Sequence, residues 1–194
     1  FIGDHPINNP VFENDTGIAY LFRSFDNDKI IPIDTIEFYN YGYYWFKEIM
    51  EGEYLVKTKL SQNSTHSRNF LPSYYTNELL WENANKIILA DSNFYSANLY
   101  MVSTDYVQEN GVGRIGGHVF QNEKSGNDVY QNVEVLLFNE EGLPLIYEYT
   151  NEFGEFEFDK LEFGTYKLQT EVTGKYSLSR FITIDETTPV IDTI

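Results

Sequence analysis

One stretch of the sequence decides the fold: residues 151–168, which read NEFGEFEFDKLEFGTYKL. Moved back by 112 positions, this stretch aligns without a gap with residues 40–57, NYGYYWFKEIMEGEYLVK. The matched positions are glycines, aromatic and aliphatic residues and one proline: Gly42 with Gly154, Phe46 with Phe158, Ile49 with Leu161, Gly52 with Gly164, Tyr54 with Tyr166 and Pro32 with Pro144. A match at a fixed offset predicts a duplicated structural unit.

The second copy has the pattern of an antiparallel β-sandwich. Phe156 and Phe158 alternate with Glu155 and Glu157, as in a strand with one buried and one solvated face. About seven short strands follow one another at turn spacings of about 8–12 residues, with a turn at Asn139–Gly142. We therefore predict an all-β chain of two tandem antiparallel β-sandwiches.

The boundaries follow from the same pattern. We expect a first sandwich at residues 1–105 with an aromatic-rich insertion, and a second at 113–194, joined near 103–113. Residues 3–15 read as loop, and Phe1 to Phe12 have no clear strand partner within their own unit, so they are candidates for docking onto a neighbour. Strand character returns at 86–89 and 97–102, with one helical turn within 79–84.

Composition excludes several classes of function. The formal net charge is −17, whereas nucleic acids and anionic membranes bind basic surfaces. No apolar run approaches the about 20 residues of a membrane-spanning helix, so we expect no membrane insertion. Cysteine is absent, which indicates a cytosolic or a bacterial protein, because small secreted eukaryotic domains usually carry disulfides.

The second copy resembles a known family. Ile115-Gly-Gly-His-Val119, Asn132-Val-Glu-Val-Leu-Leu137, residues 150–158 and residues 161–168 occur in the order typical of the carboxypeptidase regulatory-like family. That family is close to the B-type repeats of Gram-positive adhesins. The resemblance covers about residues 113–184 and implies a transthyretin-like sandwich that serves as a stalk, a spacer or an accessory module.

A second resemblance concerns the insertion. The segment Leu71-Pro-Ser-Tyr-Tyr75, followed by Leu79-Leu-Trp-Glu-Asn-Ala84, is similar to repeated β modules of secreted and surface proteins of Bacteroidota. This group exports proteins by type IX secretion. The resemblance implies an extracellular or cell-surface location and, as partners, neighbouring domains or subunits of a surface assembly.

Catalytic patterns are scarce, and we expect no enzyme and no required cofactor. There is no cysteine nucleophile, no Gly-x-Ser-x-Gly elbow and no phosphate loop. His5, His66 and His118 are scattered without metal-ligand spacing. The one metal alternative is calcium at Asp26, Asp28 and Asp34, whose carboxylates suit this ion, although such residues are also ordinary turn formers.

Aromatic residues of the insertion are the strongest functional signal. Tyr74, Tyr75 and Trp81 are candidate ligand-binding residues, because aromatic side chains in a loop can stack on sugars or anchor a partner. The alternative, which the neighbouring Pro72, Leu79 and Leu80 favour, is that they fold back onto the first sandwich. We expect Trp81 to pack against its own unit.

Two tripeptides, Asp34-Thr35-Ile36 and Asp192-Thr193-Ile194, resemble the O-glycosylation site of Bacteroidota. They make Thr35 and Thr193 candidate attachment sites of a glycoprotein.

The sequence thus favours a non-catalytic extracellular module, structural or adhesive, from a stalk, fibre or adhesin. Its rival is a carbohydrate-binding accessory module of a secreted hydrolase, with glycans as partners. A third alternative is a processing or folding domain beside a protease.

Overall fold

The computed structural model describes residues 2–4, 15–26, 29–39, 42–107, 111–121 and 129–192. These residues form β-sheets that are antiparallel except for the parallel pairing of residues 114–115 with 190–191, which confirms the all-β prediction. The chain divides into two compact units, unit 1 at Phe1–Thr104 and unit 2 at Asp105–Ile194. Within the described ranges, no helix is long and apolar enough to span a membrane.

Unit 1 has nine strands in its described part. They are β1 Ile2–Asp4, β2 Thr16–Ser24, β3 Ile30–Tyr39, β4 Tyr44–Phe46, β5 Gly52–Leu60, β6 Phe70–Leu71, β7 Ser73–Tyr74, β8 Ile87–Leu89 and β9 Val102–Ser103. A 3-10 helix at Trp81–Asn83 lies inside the predicted helical turn. The main sheet has the order β3-β2-β5-β7, with β8 also pairing β5, while β1 pairs β4 and β6 pairs β9.

Both faces of the main sheet in unit 1 are covered. One face packs under β4, where Tyr44 and Phe46 join a core with Leu21, Tyr54 and Val56. The opposite face carries a smaller core of Leu55, Tyr74 and Trp81, with Phe22, Ile30 and Ala84 packed against it. The insertion therefore folds back onto the sheet from which it departs.

Two strand predictions in unit 1 were wrong. The N-terminal stretch was expected to lack a partner in its own unit, but Ile2–Asp4 pairs antiparallel with Tyr44–Phe46. Residues 97–102 were expected to form a strand, yet only Val102–Ser103 does, against Phe70–Leu71. Both errors arise because pairing between distant segments, rather than local propensity, decides whether a short segment becomes a strand.

Unit 2 has seven strands in its described part. They are β10 Gly113–His118, β11 Glu134–Asn139, β12 Pro144–Tyr149, β13 Glu155–Leu161, β14 Gly164–Glu171, β15 Arg180–Ile184 and β16 Val190–Ile191. A three-stranded sheet, β13-β10-β16, faces a four-stranded sheet, β12-β11-β14-β15. Ile115, Phe156 and Phe158 of the first sheet meet Val135, Leu137 and Leu168 of the second in one core.

The predicted duplication extends to strand register. In unit 1, Phe22 is opposite both Pro32 and Leu55, and the β2–β3 ladder bulges just before it. In unit 2, Phe138 is opposite both Pro144 and Lys167, with the bulge at the same place. Pro32 and Pro144, like Leu55 and Lys167, are 112 positions apart. Two ladders in one register indicate one structural unit used twice.

Backbone geometry repeats at the same offset. Gly42 and Gly154 have φ values of 72° and 73°, and Glu48 and Lys160 have 55° and 52°. Each glycine N–H donates to the carbonyl three residues before it, Tyr39 or Asn151. The turn that precedes the inward-facing aromatic strand is therefore the same in both units, and it requires the left-handed conformation that glycine adopts without strain.

Each unit also has a tyrosine that ties two strands together. The Tyr54 hydroxyl donates to the Met50 carbonyl over 2.6 Å, and the Tyr166 hydroxyl donates to the Glu162 carbonyl over 2.8 Å. Both rings are buried. A hydrogen bond from a tyrosine to the backbone a few residues upstream is the tyrosine corner of Greek-key sandwiches, and here it closes the connection between consecutive strands of different sheets.

Candidate functional site

The aromatic residues of the insertion are part of the interior of unit 1. Tyr74 is fully buried and Trp81 is 6% exposed, and both pack on Leu55. The Lys57 ammonium lies 4.8 Å from the centroid of the Tyr74 ring. Tyr75 is half-buried and packs edge-on against Phe94 next to the other core. The expectation that Trp81 packs against its own unit is confirmed.

This placement bears on the proposed sugar platform. A stacking platform needs aromatic faces that are open to solvent and lie side by side. Tyr74 and Trp81 turn their faces into a core, and Tyr75 packs with a different group of residues. The structure thus does not unite the three rings on one surface, and a ligand-binding role for them stays a prediction.

The candidate calcium ligands are only partly described. Asp26 and Asp34 are exposed, and Asp28 lies outside the described residues. Asp34 lies within β3, where it accepts a hydrogen bond of 2.8 Å from the backbone N–H of the next residue, Thr35. Within the described ranges, no group of three His, Asp or Glu side chains is placed to hold a metal ion.

Of the two candidate glycosylation sites, one lies within the described residues. Thr35 is exposed on β3, opposite Tyr20, so its hydroxyl is accessible from solvent. Thr193 lies outside the described residues. Sugar attachment at either threonine stays a prediction.

The histidines serve separate local contacts. His66 Nδ1 lies 2.7 Å from the buried Asp15 carboxylate in unit 1. In unit 2, His118 Nε2 lies 3.3 Å from Glu155 Oε1, and its ring stacks on Phe120. His5 lies outside the described residues. The two described histidines thus each pair with one carboxylate in a different unit.

A feature that sequence inspection missed lies where unit 2 begins and ends. Its first strand, β10, pairs with its last, β16, and the two run parallel: Arg114 is opposite Val190 and Ile115 is opposite Ile191. The Arg114 N–H also donates to the Pro189 carbonyl over 2.9 Å. The chain therefore enters and leaves unit 2 along neighbouring strands that point in one direction.

Side chains reinforce this terminal pair. Arg114 Nη2 lies 2.7 Å from Asp192 Oδ2, and its Nη1 lies 3.6 Å from Glu157 Oε2 on β13. The Arg114 side chain is 40% exposed, so the ion pairs are partly screened by water. One guanidinium thus connects the last segment, the first strand and the strand on its other side. We call this arrangement the terminal clamp: β10, β16 and Arg114 with Asp192 and Glu157.

A tyrosine pair lies beside the start of β14. Burial, the nearby phenol of Tyr106 and the carboxylate of Glu162 raise the pKa of Tyr166 to about 12. Burial first, and Glu162 next, also raise the pKa of Tyr106. The protonated phenol of Tyr166 is the donor of the tyrosine corner. The pKa shift therefore keeps that hydrogen bond intact well into alkaline solution.

The only sequence signal for the clamp was weak. Val190-Ile191 is a two-residue apolar pair after a Thr-Thr-Pro segment, too short to stand out as a strand. The Arg114–Asp192 pair spans 78 positions, and no local pattern relates residues so far apart. Only the closure of the sandwich brings them together.

No protein-family model matches the chain, and no curated protein is similar to it in sequence. Solved structures similar to it include the Bacillus anthracis TIE protein, with 13% identity and a TM-score of 0.37 over all of this chain and 33% of that one. Another is BcpA, the major pilin subunit of Bacillus cereus, with 9% identity and a TM-score of 0.36 over 93% of this chain and 58% of that one. A third is GBS52, the minor pilin of Streptococcus agalactiae, with 11% identity and a TM-score of 0.34 over all of this chain and 93% of that one. This chain thus spans 33% of the length of the TIE protein and 58% of the length of BcpA.

Proposed function

We propose that the chain is a non-catalytic module of an extracellular bacterial surface structure, a segment of a stalk, fibre or adhesin that carries tension. Each unit is a domain of its own in this proposal, with the boundary near residues 104–113. The observation that carries it is the terminal clamp of unit 2. A module that joins neighbours in a chain is pulled at its two ends, and the clamp is where unit 2 meets that force.

The direction of the clamp strands determines how the force acts. Because β10 and β16 are parallel, force that enters before Gly113 and leaves after Ile191 pulls the strands past each other along their axes. The backbone hydrogen bonds between them are then strained together. In an antiparallel terminal pair the two ends emerge on the same side, and the bonds open one after another. Shear therefore demands a larger force than peeling.

The ion pairs of the clamp also resist the sliding of the two strands. Sliding β16 past β10 draws Asp192 away from Arg114, while Glu157 holds the guanidinium from the other side. Partly exposed ion pairs contribute only about 0–1 kcal/mol to equilibrium stability. Their contribution to a forced unfolding barrier is separate, since forced unfolding is governed by the unfolding rate.

The duplication supports a structural rather than a catalytic role. The conserved features of the two copies are ladder register, turn geometry and the tyrosine corner, all of which concern the frame of the sandwich. The side chains on the outer sheet faces differ, as Leu55 and Lys167 illustrate. Repetition of a frame with divergent surfaces is what a spacer requires.

Single-molecule pulling tests this proposal on the full chain. Since the chain has no cysteine, a pair of introduced cysteines defines the points of attachment. Val107→Cys with Ile194→Cys loads the clamp in shear, and unfolding should release about 300 Å of chain at about 3.3–3.6 Å per residue. Val107→Cys with Glu141→Cys is the matched control, because it pulls on the start of β10 and on the β11–β12 turn without loading β16.

We expect a clearly higher unfolding force for the first pair than for the second. In the first geometry, Asp192→Asn and Arg114→Gln should each lower the force while changing the free energy of unfolding by at most about 1 kcal/mol. Equal forces in the two geometries would contradict a tension-bearing role. The extracellular part has its own check: antibodies against the chain should label intact source cells, and labelling only after lysis would overturn it.

A further inference from the structure

We propose that copies of the chain associate head to tail, with the acidic β11–β12 turn of one copy seated in a basic cleft at the opposite end of unit 2 of the next. This inference rests on the proposed structural function and names its partner, a second copy of the same chain. It follows from the contrast between the two ends of unit 2.

The cleft lies at the end of the sandwich where β10 finishes and β15 begins. It encloses about 510 Å³, within the range of ligand pockets, and Val135, Phe156 and Leu168 form its floor. Its rim carries two strongly exposed apolar side chains, Leu178 at 92% and Tyr176 at 65%. Large apolar side chains so exposed, beside an apolar floor, are typical of a surface that a partner covers.

The described lining of the cleft is cationic, whereas the chain is acidic. Among the residues that the structure describes, this lining includes His118, Lys175 and Arg180 and no Asp or Glu, although the chain carries 30 acidic residues among 194. Lys175 is held in place over the Tyr130 ring, 4.7 Å from its centroid. His118 pairs with Glu155 at the margin, and Lys175 and Arg180 are the other cationic side chains of the described lining. Such a rim favours an acidic partner.

The opposite end of unit 2 has the complementary chemistry. The turn between β11 and β12 consists of Glu140, Glu141, Gly142 and Leu143, all exposed, with Leu143 57% exposed. Backbone hydrogen bonds from Asn139 to the Leu143 carbonyl and from Gly142 to the Asn139 carbonyl hold the turn rigid. It therefore presents two carboxylates and one apolar anchor in a fixed shape.

These two features lie at opposite ends because of the strand order. Val135 and Thr170 are paired at the cleft end, and Asn139 and Tyr166 are paired at the turn end. One molecule therefore cannot join its own turn to its own cleft. A turn–cleft contact is heterologous, and repeated contacts extend into an open filament unless the rotation closes a ring.

Seating places Leu143 against the apolar floor, with Glu140 and Glu141 toward Lys175 and Arg180. One turn in one cleft buries less surface than a standard interface of about 1,600 Å². A single contact is therefore weak, and association is measurable at high protein concentration and low salt.

The test combines two charge-reversed variants of the full chain. The cleft variant, Lys175→Glu with Arg180→Glu, keeps the turn; the turn variant, Glu140→Lys with Glu141→Lys, keeps the cleft. In sedimentation at protein concentrations up to about 1 mM, wild type should form species larger than a dimer. Each variant alone should be monomeric, and their equimolar mixture should again form species larger than a dimer, because the native turn meets the native cleft and the lysine turn meets the glutamate cleft.

Controls match the change in net charge. Lys29→Glu with Lys47→Glu, and Glu51→Lys with Glu82→Lys, alter exposed residues of unit 1 and should associate as wild type does. A monomeric wild-type chain, variants that associate like wild type, or a mixture that stays monomeric would each overturn the proposal. The last of these outcomes, a mixture that stays monomeric, would mean that the cleft receives a different acidic partner. A monomer that still resists shear keeps the structural function and loses only this inference.

Discussion

The two units differ in the contacts made on the corresponding face of the sheet. In unit 1, the face opposite the main core is covered by the insertion, with Trp81 and Tyr74 packed on Leu55 and Phe22. In unit 2, the equivalent positions are Lys167 and Phe138, and the Lys167 ammonium lies 5.0 Å from the centroid of the Phe138 ring. An apolar cluster in one copy thus corresponds to a cation–π contact in the other.

The difference follows from the length of one connection. In unit 1 the chain travels from β7 to β8 through the 3-10 helix, and this detour carries Trp81 over the sheet. In unit 2 only a few residues separate Ser177, which is hydrogen-bonded to Gln169 and Thr170, from β15. This face of unit 2 is nevertheless buried at Leu136 and Phe138, and the half-buried Lys167 can lay its stem on Phe138 and keep its charge in water.

The comparison shows that a frame and a surface can diverge independently. Register, turn conformation and the tyrosine corner are the same in both units. The covering of the outer face depends on an insertion that leaves the ladders untouched. We expect substitutions in the frame to weaken both units, and substitutions on the outer face to have unequal effects.

Replacing Trp81 with alanine should have the largest effect. It removes a large buried side chain from the covered face of unit 1, with an expected loss of about 3–5 kcal/mol in the free energy of unfolding. Both tryptophans, Trp45 and Trp81, lie in unit 1, so the fluorescence of the remaining Trp45 follows unit 1 alone during denaturation. Lys167→Ala is the matched change on the corresponding face of unit 2. It should alter stability by less than about 1 kcal/mol, and an equal loss in both units would refute the contrast.

Replacing the turn glycines should have a smaller effect in both units. Gly42→Ala and Gly154→Ala each place a Cβ on a residue with φ near +72°, at a cost of about 1–2 kcal/mol, and the Cβ at Gly154 would also lie 2.9 Å from the Val119 carbonyl oxygen. Unit 1 is followed by Trp fluorescence and unit 2 by hydrogen exchange of β13 and β14. Ala substitution at Gly111, whose Cβ would lie 2.2 Å from the Leu161 backbone, tests steric exclusion without positive φ. A loss in only one of the two units would show that the two turns are not equivalent.

The tyrosine corners provide a third, smaller test. Tyr54→Phe and Tyr166→Phe each remove one hydrogen bond to a backbone carbonyl and keep the ring in place. Each should cost about 0.5–1.5 kcal/mol at neutral pH. Chemical denaturation with the same two probes measures the loss in each unit. A negligible loss in one unit only would mean that this part of the frame has lost its role there.

Alkaline pH should lower the free energy of unfolding of unit 2 through Tyr166. The pKa of Tyr166 is about 12 in the folded chain, above the ordinary value of 10.0. Above pH 10 the unfolded phenol loses its proton while the folded one keeps it, so stability is complete below pH 10 and declines between pH 10 and 12. Hydrogen exchange of β14 as a function of pH should show this decline. The decline should be smaller in Tyr166→Phe, and an unchanged decline would assign it to other groups.

Much of the frame could be predicted from the sequence. The match at an offset of 112 residues correctly placed Gly42 on Gly154 and Tyr54 on Tyr166, and the alternation around Phe156 and Phe158 correctly assigned the buried face. These features are local: a strand has a period of two, and a turn with positive φ requires glycine within a few residues. The burial of Trp81 was also anticipated, from the apolar residues beside it.

The pairing of the termini and the two ends of unit 2 were decided by the tertiary structure. Ile2–Asp4 looked like loop and pairs with β4, and Val190–Ile191 was too short to stand out and closes the clamp on β10. Lys175 and Arg180 meet His118 in a cleft only when both sheets are assembled. Period and turn chemistry act over a few residues, so the sequence alone determined the repeated frame. Contacts between residues up to 78 positions apart, such as Arg114 and Asp192, exist only after the chain has closed, so the structure alone decided which segments and side chains meet at the ends of unit 2.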